Sequence, residues 1–339
     1  MVSPSLDLTA GTRIVSPLTR RRLLGVGVGA GLGLLAGCSA TSADGAGAAA
    51  SASTRTVDTA HGSVVVPATP KRIVAVAYDT PFQLMSMGVT PVGVFDYSQW
   101  YEQYPADQVA FLKPITTIGK WGEPDLEKVA ALTPDLIVGV VDEVKDDVYT
   151  QLSQVAPTTL FASPSRGDWE DPLAKIAGVT GVTAVIAGGK KEFDDLVTRL
   201  STDYREALTQ QKWVSYSFGD SDGQFSVQFP SGATGALMKR LGTTFGSVIA
   251  SADPESGYES YSVEKADLLA DVTVALHPLD AAGREYASLA EVQKSGVWSQ
   301  QPFRETDRDF GLVLFHGVNT YPSGVAALEE LEEKVLKQL

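Results

Sequence analysis

Three histidines and a single cysteine are all the imidazole and thiol chemistry this chain carries, and their spacing decides what they could do. His61, His277 and His316 lie far apart, with no i, i+3 or i, i+4 partner on a common helix, so the clusters that bind a bare transition metal are missing. His61 reads as a turn residue and His277, before Pro278, as a strand end, while His316 fits either a ligand contact or a structural hydrogen bond. Gly219-Asp220-Ser221-Asp222-Gly223 matches the G-x-S-x-G pattern of a hydrolase nucleophile, with two histidines downstream. That chemistry needs a helix directly after the serine, whereas Phe225-Ser226-Val227-Gln228-Phe229 alternates like a strand, so a hairpin turn is expected. The glycines from Gly25 to Gly33 never complete G-x-G-x-x-G, and no dinucleotide site follows from them. What remains is a set of aromatic and charged side chains near strand ends: Tyr78, Asp79, Tyr97, Trp100, Tyr101, Trp121, Ser165 and Arg166, then Phe218, Phe229, Tyr258, Tyr261, Arg284, Tyr286, His316, Asn319 and Tyr321. On facing loops they would suit a planar or caged ligand, partly apolar and partly charged, with Arg166 and Arg284 as donors. Any one of these residues reads equally well as ordinary packing; the set carries the argument.

For such residues to converge, the elements between them must return repeatedly to one edge. A hairpin from Thr56–Asp58 and Ser63–Val66 around His61-Gly62 precedes the apolar run at 72–77. Helices are expected at 80–87, 126–132 and 144–155, and strands at 92–95, 116–118, 136–140 and 158–161. Such alternation favours a parallel sheet covered on both faces, with ligands beyond the carboxyl ends of its strands. From Thr183 to about Leu208 the rhythm breaks: Val185, Phe193, Leu196, Val197, Leu200, Tyr204 and Leu208 share one helical stripe long enough to bridge two lobes, although Gly188-Gly189 weakens its start. Strands at 213–218, 225–229, 272–276 and 311–315 follow, with helices at 235–241, from a Ser288 capping box, and from Pro322 onward. The expected architecture is α/β, with two Rossmann-like lobes (55–168 and 211–339), a linking helical segment (169–210) and a ligand cleft between the lobes.

Residues 1–37 read as an export signal rather than fold: Arg20, Arg21 and Arg22 precede an apolar stretch, Leu23 to Ala36, too short to cross a bilayer. Thr19-Arg20-Arg21-Arg22-Leu23-Leu24 resembles a twin-arginine signal, and Leu35-Ala36-Gly37-Cys38 resembles the lipobox of bacterial lipoproteins, where the cysteine is acylated. Double acylation would hold the mature chain on the outer face of the cell membrane. Residues 38–54, nearly all Ser, Ala, Gly and Thr, read as a disordered tether. The leader holds four arginines and one aspartate, so 23 basic and 40 acidic residues remain, a net −17 against −14 for the whole chain. A surface that negative repels nucleic acid and penalises approach of polyanionic ligands such as trianionic catecholates. No thiol remains beyond Cys38, so an exported fold must stand without disulfides.

One segment is echoed. Leu126-Glu127-Lys128-Val129-Ala130-Ala131-Leu132-Thr133-Pro134-Asp135-Leu136-Ile137-Val138 recurs, one residue shorter, from Val263-Glu264-Lys265 to Val274, each a Glu-Lys pair opening a helix that feeds a buried strand through an Asp. Duplicated halves would place Glu127 and Glu264 at equivalent helix starts, although the helix dipole alone would also favour each glutamate there. The order of anchored leader, Pro70-Lys71-Arg72-Ile73-Val74, Gly88-Val89-Thr90-Pro91-Val92-Gly93-Val94, the echoed segments and the long helix resembles the substrate-binding proteins of ABC importers for ferric siderophores and cobalamin. The resemblance covers essentially the whole mature chain. It implies a monomeric binding protein without catalysis or cofactor, whose ligand is an iron-siderophore chelate and whose partners are permease and ATPase subunits. Glu127 and Glu264 match the glutamates that dock on permease arginines in that family, and the rigid connecting helix implies small closing motions. Trp121 matches a position where hydroxamate binders carry an arginine and cobalamin binders a tryptophan; with Tyr97 it keeps cobalamin, or haem, as an alternative ligand, and an exported serine hydrolase as a distant one.

Overall fold

The computed structural model describes residues 53–165, 167–250 and 257–339. The leader, Cys38, most of the tether and Arg166 lie outside the described residues. The chain opens with an antiparallel hairpin, β1 (Thr54–Thr59) and β2 (Gly62–Pro67), whose turn needs Gly62 at φ +96°. Arg55 pins this hairpin to the body by donating to the carbonyls of Gly178 and Val179, both at 2.6 Å. His61 stacks on Tyr149 at 3.7 Å.

The first lobe is built on β3 (Ile73–Ala75), β4 (Gly93–Val94), β5 (Thr116–Thr117), a small hairpin of β6 (Gly119–Lys120) and β7 (Glu123–Pro124), then β8 (Leu136–Val140) and β9 (Thr158–Phe161). Its main sheet runs β5-β4-β3-β8-β9, all parallel. Ile73, Val74 and Ala75 are fully buried, as expected where helices cover both faces. The second lobe uses β10 (Trp213–Phe218), β11 (Gln224–Gln228), β12 (Tyr258–Ser262), β13 (Val274–Pro278) and β14 (Asp309–Leu312) in the order β12-β11-β10-β13-β14. Strand for strand this is the order of the first lobe, which makes the halves repeats at the level of topology. The copy is imperfect, because β10-β11 and β11-β12 pair antiparallel. The antiparallel β10-β11 turn also answers the G-x-S-x-G motif: Ser221 sits in a hairpin, with Gly223 at φ +73°, and a strand follows it.

Between the lobes in sequence come helices Glu170–Thr180, Thr183–Asp203 and Arg205–Gln210. The helix expected to run to about Leu208 is interrupted at Tyr204, leaving a bridging helix of 21 residues, about 31 Å long. It passes through Gly188-Gly189, and a Cβ at 189 would come within 3.1 Å of that of Tyr321, a tight contact. The terminal helix, Tyr321–Lys334, packs along it and ends in a 3-10 turn, Leu336–Gln338.

The period of two along the second sheet divides the core. Trp213, Val274, Leu276 and Leu312 join the large cluster that also contains the first lobe and the bridging helix, whereas Val214, Tyr216 and Ala275 face a separate cluster around Trp298 and Phe303. One apolar core therefore runs from the first lobe through the bridging helix onto one face of the second. Its seam is Phe193, 1% exposed, packed against Trp169 at 5.8 Å and Tyr321 at 5.9 Å and covered by the Arg240 guanidinium at 4.8 Å. Arg240 is held there by Glu170 and Asp194.

Two further expectations are corrected. No capping box forms at Ser288; helix Ala287–Gln293 begins after Tyr286 without a side-chain cap. The last strand is Asp309–Leu312 rather than 311–315, because the charge of Asp309 is neutralised inside the lobe. Replacing Phe193 by alanine is expected to lower unfolding free energy by about 3–5 kcal/mol in urea titration, the usual cost of an unfilled aromatic cavity.

Candidate functional site

The carboxyl end of β3 delivers Tyr78 and Asp79 to the gap between the lobes. Tyr97 lies beneath them, 2% exposed, its hydroxyl donating to the carbonyls of Tyr78 (2.8 Å) and Ala77 (3.2 Å). Around Tyr78 gather Tyr97, Trp100 and Tyr104, with ring centroids at 5.8, 5.3 and 6.3 Å, and the Tyr104 hydroxyl donates to that of Tyr78. Burial first, then neighbouring groups, among them the Asp79 carboxylate, push the Tyr97 and Tyr104 hydroxyls far above the ordinary phenol range. They stay neutral and can act as donors.

Trp121 occupies the two-residue turn between β6 and β7, where Gly122 takes φ +75°, and is 45% exposed. Its indole N–H donates to Glu143 Oε2 at 3.2 Å, and the same oxygen accepts the Tyr78 backbone N–H at 2.6 Å. Sequence reasoning missed Glu143. It ends a 3-10 turn directly after β8, Val141–Glu143, and the strand-end rule that placed the other candidates also covers it.

From the second lobe, Phe218 ends β10, 41% exposed, with its ring edge-on to Tyr286 at 5.4 Å. Burial, then the Asp280 carboxylate and the nearby Tyr78 hydroxyl, raise the Tyr286 pKa. Arg284 is engaged by Asp280 Oδ2 at 2.6 Å, and Asp280 also accepts the backbone N–H groups of Ala282 and Arg284 at 2.9 Å. Polar contacts cross from lobe to lobe. Ala281 N–H donates to the Glu102 carbonyl at 3.2 Å, Gly167 N–H to the Ser231 carbonyl at 2.8 Å, and the Asn319 amide to Asp79 Oδ1 at 2.8 Å. Tyr78, Tyr97, Trp100 and Trp121 are thus gathered on one wall, and Phe218, Arg284 and Tyr286 on the other.

The remaining candidates fall elsewhere. Tyr258 and Tyr261 lie on edge strand β12, not in a loop; Tyr261 pairs with Phe225, its ring tilted against that of Phe225 at 5.8 Å, while the Tyr258 hydroxyl donates to Asp220 at 3.3 Å. Phe229 is core, 1% exposed. Tyr321 sits in the helix seam, 3% exposed, its hydroxyl donating to Glu170 at 3.0 Å. His316 follows β14, half-buried; burial and the charge of His277 lower its pKa to about 3, so it is a neutral imidazole. A hollow of about 630 Å³, lined by Asp168, Glu170, Ile186, Lys190 and Tyr321, shares only Tyr321 with the candidates. The aromatic walls, pressed together across the lobe contacts, are the better site on chemical grounds. Among the described residues no three His, Cys, Asp or Glu side chains are grouped to hold a metal ion, and no helix is long and apolar enough to cross a membrane.

Glu127 and Glu264 are both exposed in the first turns of the segments preceding β8 and β13, the fourth strand of each sheet. Asp125 caps the first, accepting the N–H of Glu127 at 3.1 Å; Ser262 caps the second, accepting that of Glu264 at 3.4 Å. The second segment is a kinked 3-10 helix, Val263–Leu269, rather than an α-helix.

The family model described as periplasmic binding protein matches residues 73–307, through both lobes and the bridging helix. The chain belongs to this family. The binding protein is 32% identical over 198 residues to the "Probable siderophore-binding lipoprotein YfiY" of Bacillus subtilis, covering 56% of this chain and 57% of that one. It is 29% identical over 212 residues to the Fe(3+) dicitrate-binding periplasmic protein FecB of Escherichia coli, covering 60% and 67%. Among solved structures, the siderophore periplasmic binding protein from the fuscachelin gene cluster of Thermobifida fusca superposes with a TM-score of 0.71 at 26% identity, over 81% of this chain and 99% of that one.

Behind the second wall, the binding protein buries a charged network. His277, 2% exposed, bonds Asp309 through Nδ1 (2.9 Å) and Glu285 through Nε2 (2.8 Å). Asp309 also accepts from the Tyr216 hydroxyl at 2.8 Å and from Arg304 at 3.0 Å. Burial opposes charge on His277, but the two carboxylates outweigh it and raise its pKa to about 9. This contribution to stability is complete below the ordinary imidazole value, about 6.5, and is lost as pH rises through the folded-state value. Wild-type protein should therefore lose roughly 3 kcal/mol more than His277→Gln between about pH 6.5 and pH 10 in urea unfolding; parallel pH profiles for the two would contradict the assignment.

Proposed function

We propose that this protein is an extracytoplasmic solute-binding lipoprotein that captures a ferric siderophore and delivers it to the permease of an ABC importer, without catalytic activity of its own. The observation that carries this reading is the pair of facing walls. Neutral tyrosines with Trp100 and Trp121 stand on one lobe, Phe218 and Tyr286 on the other, at the carboxyl ends of two sheets of the same strand order. The names of its relatives, siderophore-binding and ferric dicitrate-binding, point to the same ligand class. Capture would rest on aromatic packing plus a few charge-assisted contacts, with Arg166 and Arg284 as donors. For cobalamin, the resemblance relied on Tyr97 and Trp121 together. Tyr97 is buried with its hydroxyl committed to two backbone carbonyls, so it supports the wall rather than meeting a ligand, and the ferric chelate is favoured.

Delivery would rest on Glu127 and Glu264, both exposed at equivalent places in the repeat, and retention at the membrane on acylation of Cys38 behind the export signal. Binding of ferric chelates, followed by quenching of tryptophan fluorescence, tests capture directly; a full panel without quenching would sink it. Changing both Glu127 and Glu264 to alanine should leave affinity unchanged and abolish uptake of radioactive iron in cells. Loss of affinity with normal uptake would refute this division of roles. Cys38→Ala should move the protein from the membrane to the soluble fraction.

A further inference from the structure

The loops that carry the two walls also meet each other at the rim of the cleft. On the first lobe, the chain after β4 makes a 3-10 turn, Ser98–Trp100, and runs on through Glu102 to Tyr104. Trp100 and Tyr104 fasten this loop to the Tyr78 ring, and the Gln103 N–H donates to the Trp100 carbonyl at 2.8 Å. Glu102 and Gln103 stay exposed at its tip. On the second lobe, the chain after β13 folds into a tight turn: the Gly283 N–H donates to the Asp280 carbonyl at 2.9 Å, Gly283 takes φ +77°, and Leu279 pairs antiparallel with Glu285. The Asp280 carboxylate braces the turn from within by accepting the N–H groups of Ala282 and Arg284, and His277 ties down Glu285 at its end. The Ala281 N–H goes instead to the other lobe, donating to the Glu102 carbonyl at 3.2 Å. Both residues of this bond are exposed, whereas Asn319, which bonds Asp79 from lobe to lobe, is 9% exposed.

We propose that the Glu102 loop tip and the Asp280–Arg284 turn form a gate over the cleft, closed by the Ala281–Glu102 hydrogen bond, which parts to admit a ferric chelate and re-forms over it. The inference rests on the ferric chelate reading and adds how that site is entered. One apolar core runs through both lobes, so swinging the lobes apart would open packed surface, and passage of a ligand falls to the loops. The turn, braced by Asp280 and by the Glu285–His277 pair, is the fixed arm; the loop tip is the arm that gives. Arg284, engaged first by Asp280, also feels the Glu102 carboxylate across the rim, an attraction that favours closure.

The test is the rate of binding, followed by stopped-flow quenching of tryptophan fluorescence with ferrioxamine B and, separately, with ferric citrate. The parent is the full chain with Cys38→Ala, which removes the one native thiol, and Glu102→Cys with Ala281→Cys then adds two at exposed positions. A backbone N–H···O bond brings its two Cα atoms within the roughly 4.5–7 Å that a disulfide spans. Oxidation should join the thiols and slow association by about tenfold or more, because the admitting state is no longer populated, and reduction followed by desalting should restore the parent rate. Ala281→Pro removes the donor at a turn position that proline favours. Association and dissociation should then both quicken by about two- to tenfold, the effect expected of one exposed hydrogen bond, with affinity unchanged. Thiols that stay free under oxidant, a joined form that associates at the parent rate, or unchanged rates in Ala281→Pro overturn the gate and leave siderophore capture standing. Failure of the parent to quench with either chelate overturns capture itself, and the gate with it.

Discussion

The packing of one face of the bridging helix against the helices beside it is the constraint on which the rest of this molecule depends. Phe193, Trp169 and Tyr321 interlock where the bridging helix meets the helices beside it, and Arg240 lies over the aromatic ring while bonding acids on two different helices. Because the same apolar core continues from the first lobe across this seam and onto the second sheet, moving one lobe against the other would open packed surface rather than bend a linker. The gap between the strand ends is thereby set largely in advance. Ligand contacts need only settle side chains such as Phe218 and Trp121, which are already partly exposed.

The two halves repeat in strand order yet differ in chemistry. In the first lobe, every strand of the main sheet is parallel and the wall is a cluster of mutually bonded tyrosines steadied by Glu143. In the second, the antiparallel β10-β11 pair replaces a crossover, and a buried His277-Asp309-Glu285 network lies behind the wall. Duplicated topology gives the matched acidic helix starts, Glu127 and Glu264; divergent loops give the unlike walls.

Much of this organisation was legible in the residues. Strand Leu136–Val140 falls where its continuous apolar run places it, since a buried parallel strand carries an unbroken signal, and Thr158–Phe161 and Trp213–Phe218 also fall where they were expected. Tyr258–Ser262 escaped because Tyr-Glu-Ser-Tyr-Ser is a polar edge strand whose pairing with β11 is tertiary. Asp309 belongs to a strand only because Tyr216, His277 and Arg304 neutralise it there, and none of those partners is near in sequence except Arg304. The helix break at Tyr204 leaves Leu208 buried on the short following helix, so the stripe persists while the axis does not. At the site, aromatic candidates could be gathered by type, but sorting wall from core could not: Phe229 and Tyr321 share the composition of Phe218 and Tyr286 and differ only in what packs over them. Glu143 is one acid in an acidic chain, marked in the sequence only by its place just after a strand.

The tyrosine wall has a further consequence for any iron-bearing guest. Phenols kept protonated by burial and by neighbouring carboxylates do not become phenolates, the oxyanions that would compete for a hard ferric ion. A chelate resting there would be recognised by its outer shell while its metal stays with the molecule that carried it in, so the cargo can leave the cleft as whole as it arrived.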